Sequence, residues 1–514
     1  MPANEPQTQG RSPVRDFIRK RFGGYRHAFH RPALDRPRRN EGDARVAVVG
    51  GGLAGMTAAK VLAERGFDLD LFDAHDYLGG KVGAWPVDGP DGRPVYTEHG
   101  YHAFFPHYYN LLRVFEELGI SEHFRPIDDY RILLRDGRQF SFAGLETTPV
   151  LNILDMLRRK VYSLSDVLLN PRTMGLMALL QYDPQRTFER FDHVSYDEFT
   201  RRTRLPAGLK LMFNSFSRAF FAQPELMSMA ELIKSFHFFF LGQDGGLIYD
   251  YPDESYELSL LAPFQRAIEG SGGRIHLSSP IGAIGLDDDG RFDLNGEHYD
   301  YLVFSPDVAG ARRIVDASPA LAERYPLFAR QVGGLKISQR YAVLRLWLDR
   351  DFGRDLPGFV ITEHAPLLDS ISFYPRLEKS SADWAAASGG GVFELHCYSV
   401  PDHVGSREEV REHLLRELGD YFPEFKQAAI LAEHLQVNRD FTAFHTGLWA
   451  ERPATVIDVP NLFLAGDWVR LPLPAMLMEA AVTSGLLAAN EVLDRSGLQT
   501  EPIDSVPPRG LLAR

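Results

Sequence analysis

The sequence predicts an α/β fold, in which a Rossmann-like dinucleotide-binding domain is interrupted by an inserted α+β substrate domain. Three observations predict it. A short valine-rich run, Arg45–Gly50, leads into Gly50-Gly51-Gly52-Leu53-Ala54-Gly55 and then into the helix-forming stretch Ala54–Arg65. A second short run, Leu69–Asp73, ends on an acid. Further on, greasy helical segments give way to a strand of period two at Leu335–Leu348.

The chain has 514 residues, 44% of them hydrophobic and 24% charged, enough for two cores. Its one cysteine, Cys397, excludes an intramolecular disulfide framework and cysteine metal clusters. A net charge of −13 argues against nucleic acid as the main partner. Residues 1–40 run the other way, with ten Lys/Arg against three acids, and form a basic N-terminal arm. Val14, Phe17, Ile18, Phe22, Tyr25 and Phe29 recur there at roughly helical spacing, a pattern that suits either an anionic membrane surface or a solvated arm. No apolar run is long enough to predict a membrane-spanning helix. Nor does an apolar segment follow the arginines as a secretion signal requires, so a cytoplasmic protein is expected.

Residues 41–145, 251–315 and 450–495 read as a discontinuous nucleotide domain. Residues 146–250 and 316–449 read as the inserted substrate domain. The first part of the insert is largely helical, and residues 207–242 hold eight phenylalanines, as either a core or an apolar pocket requires. In Leu335–Leu348 the apolar Ala342, Leu344, Leu346 and Leu348 alternate with Tyr341, Val343, Arg345 and Trp347, which gives a strand with two different faces. Phe359–Thr362 and Val392–Tyr398 are candidates to pair with it. Ser406 and Glu409 form a capping box opening a helix that ends near Gly419. The tail, 496–514, reads as flexible.

In the glycine motif, Gly50 permits the tight turn, Gly52 lets backbone approach a pyrophosphate, and Gly55 allows helix to pack on strand. The helix starting at Leu53-Ala54 then offers unpaired N–H groups and its dipole to phosphate. Asp73, about twenty residues on, is placed to accept hydrogen bonds from a ribose hydroxyl.

Beyond the motif, Gly79-Gly80-Lys81 and, far downstream, Asn461–Val469 with Met478-Glu479 and Ser484-Gly485 are similar to the two flavin motifs of the carotene desaturase and flavin amine oxidase superfamily. The resemblance runs from about Arg45 to Leu493. It implies FAD in a glutathione-reductase-type domain, with Gly466-Asp467 at the ribityl–phosphate region. It also implies that the helix beginning near Ala475-Met476 points its N-terminus at the flavin N1/O2 edge, where reduced flavin carries negative charge. The run Gly272–Leu277 up to Pro280-Ile281 resembles the strand beside the adenine, and Asp300–Pro306 resembles the strand returning to the flavin domain. No second glycine motif of this kind lies between a strand and a helix, so no separate NADPH domain is expected and electrons should come from substrate.

Thr97–Ile120, with Gly100-Tyr101-His102 followed by Phe104-Phe105 and Tyr108-Tyr109-Asn110, is most similar to the ring-aromatising carotene desaturase/methyltransferases, the isorenieratene synthase type. Pro106 and His107 depart from that pattern, where an Arg-Gln pair is expected. The resemblance implies β-ring desaturation with a methyl shift that yields an aromatic end group. It also implies that Gly100 and Tyr101 lie against the isoalloxazine. His102 is the candidate proton acceptor, set against the plainer reading of a histidine packed on the flavin or in the core; Glu98, His99 and Glu479 are weaker candidates. No metal role is expected. The resemblance implies a lipophilic polyene substrate; such a hydrocarbon is too costly to place in water, so a peripheral protein on the inner face of the cell membrane is expected, and the electron acceptor, quinone or oxygen, stays open. Within the same fold the alternatives are an acyclic phytoene or ζ-carotene desaturase, a carotene isomerase, a flavin amine oxidase and a non-enzymatic prenyl-lipid carrier.

Overall fold

The valines of Arg45–Val49 (β1) are shielded on both faces, which places this strand at the centre of a parallel sheet. In the computed structural model the described residues are 25–149, 151–159, 171–205, 210, 218, 220–363 and 366–513, together with Pro13 and Phe17. After β1 the chain turns through the glycines into Leu53–Glu64 (α1) and returns as Asp68–Phe72 (β2), parallel to β1. Two distant strands complete one side and the centre: Arg274–His276 (β3) beside β2, and Tyr301–Phe304 (β4) beside β1. Leu462–Leu464 (β5) closes the far edge. The order β3-β2-β1-β4-β5, all parallel, is the winding of a Rossmann domain assembled from segments that lie far apart in sequence.

Leu477–Arg495 (α2) lies against α1 at a backbone distance that only glycine allows. A Cβ on Gly485 would stand 2.3 Å from the Ala54 carbonyl oxygen. Within the first motif the same holds for Gly55, where a Cβ would stand 1.9 Å from the Gly50 carbonyl oxygen. Asp70 ties β2 to β3: it accepts two hydrogen bonds from Arg274 (2.8 and 2.7 Å), one from Tyr299 (3.0 Å) and pairs with His276 Nε2 (2.7 Å). Burial pushes the Asp70 carboxyl up, and these partners outweigh burial and bring it down to about 2.

A seven-stranded, mostly antiparallel sheet stands beside this domain, in the order 430–438, 341–348, 391–397, 370–373, 359–362, 131–133, 139–141. All eight residues of Tyr341–Leu348 are buried, and the strand has the two faces its alternation predicts. Ala342, Leu344, Leu346 and Leu348 enter an apolar cluster with Val410, Leu414 and Leu418 from the helix Arg407–Tyr421. Tyr341, Val343 and Arg345 face the nucleotide domain, where they meet His99, Gly100 and Glu98. The Ser406/Glu409 capping box forms as the sequence predicts, and so does the strand Phe359–Thr362, but its partners are Ser370–Phe373 and Arg131–Leu133; of the two candidates only Gly391–Cys397 pairs with Tyr341–Leu348.

Four expectations are corrected. Residues 131–141, assigned by sequence to the nucleotide domain, supply two strands of the seven-stranded sheet, because Arg131–Leu133 finds its parallel partner in Phe359–Thr362. Residues 319–334, assigned to the insert, bury Leu321, Phe328 and Val332 with Val49 and Phe304 in the nucleotide-domain core. The tail is not loose: Ile503–Ser505 pairs antiparallel with His27–His30, and Ile503 and Val506 are buried. That pairing also changes the basic arm. Its described end is a strand where helical spacing was read, and Arg26 and Arg31 are spent on Asp504 (2.8 and 2.6 Å). Val14, Ile18 and Phe22 lie outside the described residues.

Because the α1–α2 contact leaves no room for a side chain, Gly485→Val is expected to destabilise the fold by at least about 2 kcal/mol, the scale of overpacking a core. A urea-unfolding midpoint unchanged from wild type would show that the two helices can separate without cost.

Candidate active site

Two glycine turns, separated by most of the chain, are clasped by one ion pair. Gly50, at φ 103°, lets the first turn pass Ser305, whose carbonyl oxygen would be 2.5 Å from a Cβ. Asp73, at the end of β2, accepts the Gly51 N–H (2.6 Å), and its other oxygen accepts the His75 N–H (2.8 Å). Asp73 therefore braces the glycine loop as well as lining the cavity beside it. Gly79 N–H donates to the Gly51 carbonyl (2.8 Å), and this brings Lys81 across to the second turn. There Lys81 Nζ meets Asp467 Oδ2 at 2.7 Å, while Asp467 Oδ1 accepts from Thr442 (2.8 Å). Burial pushes the Asp467 carboxyl up; Lys81, Thr442 and Arg452 outweigh it and hold the group below its ordinary value.

The second turn is anchored from behind. Gly466 N–H donates to Ser484 Oγ (2.8 Å), which explains why Ser484 precedes Gly485 on α2. Arg452 donates to the carbonyls of Asp467, Trp468 and Val469 at 2.8, 2.9 and 3.1 Å and pairs with buried Glu231. Nothing in the local sequence around Arg452 marks it. Its role appears only when the turn it braces is seen.

One cavity of about 920 Å³ joins both turns. Gly50, Gly52, Leu53, Ala54, Asp73, Gly79, Gly80, Lys81, Gly100, Tyr101, His102, Ile281, Gly466 and Asp467 all line it. Gly55 does not, because it faces the strand. Ala475 and Met476 are displaced from their expected position: they line a separate small cavity of about 30 Å³, and Leu477 and Met478 take their place on the large one. The reason is the backbone at Leu477, whose φ of 51° swings the chain between the approach loop and α2.

Two helix N-termini thus open onto a single cavity, and neither has a side-chain cap: Gly52 before α1 and Met476 before α2. An uncapped helix start leaves N–H donors without intrahelical acceptors and carries partial positive charge. A Cβ on Gly52 would meet only the Gly79 carbonyl, at 3.9 Å, so its open side is the cavity side. This fits FAD: one N-terminus for the pyrophosphate, the other for the edge of the ring that becomes anionic on reduction.

Away from the turns the cavity wall is rich in aromatic residues, with the ion pair Arg218–Asp369 (2.7 Å) also on it. Phe220, Phe221, Phe239 and Phe240 line it, four of the eight phenylalanines noted between 207 and 242, while Phe236 and Phe238 pack in the core. Phe213 and Phe216 lie outside the described residues. Tyr101 stacks on Phe359 with centroids 4.9 Å apart. His107, which departs from the family pattern, is caged by Phe105, Phe238 and Phe239, does not line the cavity, and is driven down to about 3 by burial.

The candidate acid–base residues separate clearly. His99 Nδ1 pairs with the Tyr341 hydroxyl (2.9 Å), and burial lowers its pKa to about 4. His102 Nδ1 donates to the Gly100 carbonyl (2.7 Å), and burial lowers it likewise to about 4. Glu479 is committed elsewhere: it accepts the N–H groups of Asn110 and Leu111 (2.9 and 3.0 Å) at the start of the helix Tyr109–Leu118. Burial pushes it up to about 8 against those donors. Glu98 lies behind the cavity wall, sharing Arg345 with Glu394 at 2.5 and 2.7 Å. With two buried acids and one guanidinium, burial pushes Glu98 up, whereas Arg345 and His396 outweigh burial at Glu394 and hold it down. Sequence reading missed Arg345, Glu394 and His396. The period-two strand pattern marks Arg345 as an outlier in an apolar run, but its partners come from other strands.

The fold and the clasped cavity define a Rossmann-type FAD-dependent oxidoreductase. The description "flavin containing amine oxidoreductase" belongs to the family that matches residues 53–493. A carotenoid phi-ring synthase of Streptomyces griseus is 36% identical over 512 residues, covering 96% of this chain and 97% of its own. A 15-cis-phytoene desaturase of Glycine max is 26% identical over 481 residues, covering 88% and 80%. Among solved structures, a putrescine oxidase double mutant shares the fold with a TM-score of 0.64 at 14% identity, covering 88% of this chain and 99% of that one. The chain belongs to the flavin-containing amine oxidoreductase family, within the superfamily that also includes the carotene desaturases.

Lys81→Met removes the cation from buried Asp467 and is expected to weaken FAD retention at least tenfold, about 1.4 kcal/mol. Equilibrium dialysis against FAD checks this; unchanged affinity would make the ion pair irrelevant to the cofactor. The buried histidines give a pH signature. Their folded pKa lies below the ordinary 6.5, so the unfolded chain binds more protons between about 4 and 6.5, and stability falls as pH drops through that window. Replacing His102 by Asn should flatten the slope of unfolding free energy there by up to about 1.4 kcal/mol per pH unit. An unaltered slope in urea titrations would contradict the assignment.

Proposed function

We propose that this chain is a carotenoid desaturase acting on a β-ring, with a methyl shift that produces an aromatic end group. The observation that carries the reading is the single cavity, polar at the two uncapped helix starts and lined beyond them largely by phenylalanine, tyrosine and aliphatic side chains, with the Arg218–Asp369 pair charge-balanced. Such a wall offers little to a polar substrate and much to a long hydrocarbon. The likeness to a phi-ring synthase over nearly the whole chain, stronger than that to the phytoene desaturase, supports the ring-directed form of this chemistry.

Bound FAD would supply two-electron oxidation of the polyene. The chain's own residues do the rest. The glycine turns, Lys81 and Asp467 hold and orient the cofactor, and the aromatic wall excludes water and lays the ring end of the substrate beside Gly100-Tyr101. A carotenoid of forty carbons costs on the order of 20–30 kcal/mol to place in water, at about 0.8 kcal/mol per buried CH₂. In this reading the polyene is drawn from the inner face of the cell membrane by a peripherally attached protein, and quinone or oxygen removes the electrons.

Expression in cells that accumulate β-carotene is expected to yield carotenoids with aromatic end groups, and parallel expression in cells holding phytoene or lycopene to leave those pigments unchanged. Desaturated acyclic products from the second host, with β-carotene untouched in the first, would replace the ring reading with the acyclic one. Peroxide released on adding amines would favour amine oxidation.

A further inference from the structure

The removal of two hydrogens from the substrate leaves a proton to be accepted, and among the described residues five histidines on the cavity wall could take it: His75, His99, His102, His396 and His434. Their partners distinguish them. His99 and His102 are bonded only to neutral oxygens, the Tyr341 hydroxyl and the Gly100 carbonyl, and burial holds both in the uncharged form. His434 is also lowered by burial, with the positive charge of Arg345 and Arg407 adding to the effect. His75 pairs with Asp73, but its side chain is 60% exposed and sits at the glycine turn.

His396 is different. It stands in the strand Gly391–Cys397, 3% exposed, two residues from Glu394 and so on the same face. Its Nε2 lies 3.1 Å from Glu394 Oε1 and 3.5 Å from the Ser372 hydroxyl. Glu394 in turn cannot swing away: it accepts from Arg345 Nε (2.8 Å), the Tyr101 N–H (3.1 Å) and the Tyr374 hydroxyl (3.2 Å). The other ring edge points at the cavity segment Gly100, where a Cβ would stand 3.0 Å from Cε1 and 3.3 Å from Nδ1. Among the described residues Nδ1 has no hydrogen-bond partner. A carboxylate that fixes one ring nitrogen as N–H leaves the other as an acceptor and stabilises the imidazolium once it forms.

We propose that His396, oriented by Glu394, is the proton acceptor of this cavity. The assignment rests on the desaturase reading above. In the step it serves, one C–H bond of the polyene breaks and its electron pair becomes the new C=C. The proton goes to His396 Nδ1, and bound FAD would take the hydride that completes the two-electron oxidation. Any methyl shift precedes this proton loss, which ends the cationic stage. Glu98 and Arg345 are positioning residues, because they reach the chemistry only through Glu394.

Two measurements test it, and the first needs no turnover. Long-range ¹H–¹⁵N spectra of histidine-labelled protein, with His396→Gln used to assign the signal, are expected to show His396 as the Nε2–H tautomer and to shift it in Glu394→Gln. An Nδ1–H tautomer, or a signal indifferent to Glu394→Gln, overturns the proposal. The second follows anaerobic bleaching of bound FAD by β-carotene in detergent. His396→Gln is expected to slow bleaching by about 10²–10⁴-fold, the usual contribution of a general base, with FAD absorbance and β-carotene affinity retained. Bleaching at the wild-type rate overturns the assignment alone. A wild-type flavin bleached by no carotenoid overturns the desaturase reading, and the proton role with it.

Discussion

The contact between Lys81 and Asp467, 2.7 Å long and spanning 386 residues of sequence, is the constraint on which the rest of the site depends. Asp467 belongs to the Gly466 turn on the approach to α2, and Lys81 to the Gly79-Gly80 turn, which is bonded to the glycine turn before α1; both helices start without a side-chain cap. Bringing the turns together therefore concentrates two sets of unpaired donors and two positive helix ends around one cavity. Like ends brought together repel; Arg452 holds the Asp467 turn in place by its backbone carbonyls, and the Asp467 carboxylate offsets only part of that repulsion. An anionic dinucleotide relieves it. The cofactor preference of the fold thus follows from how two helices start.

The same economy appears in the second sheet. The strand Tyr341–Leu348 carries an apolar face into that sheet's own core and its other face toward the nucleotide domain, so Tyr341, Val343 and Arg345 become the floor beneath Gly100 and Tyr101. Burying a guanidinium there would be prohibitive alone. With Glu98 and Glu394 on either side it becomes a rigid support, and its geometry also fixes His396. The cavity wall is then stiff where the backbone passes the cofactor and aromatic where a hydrocarbon would lie.

Much of this was legible in the sequence, for specific physical reasons. A glycine that must avoid the Ser305 carbonyl, or let Ala54 approach Gly485, leaves an unambiguous mark, because no other residue fits. Parallel strands buried on both faces show as valine runs, and a capping box shows as Ser406 with Glu409. What escaped notice depends on pairing across distance. The tail and arm look loose until Ile503–Ser505 meets His27–His30, since neither strand is convincing alone. Likewise, residues 131–141 join the second sheet only because Phe359–Thr362 offers them an edge. His396 looked ordinary for the same reason: its significance comes from Glu394, Arg345 and Gly100 together. The resemblance drew attention to His102 because it sits inside a motif, yet that histidine is tied to a neutral carbonyl.

The central claim is that both turns clasp one cofactor, and a crystal structure of the protein grown with FAD tests it most directly. The account predicts a single extended FAD, its pyrophosphate on the N–H groups of Leu53 and Ala54 and its ring system at Leu477-Met478, with Lys81 and Asp467 between the two. Density for FAD that touches only one of the two helix starts, or that lies outside this cavity, would contradict it.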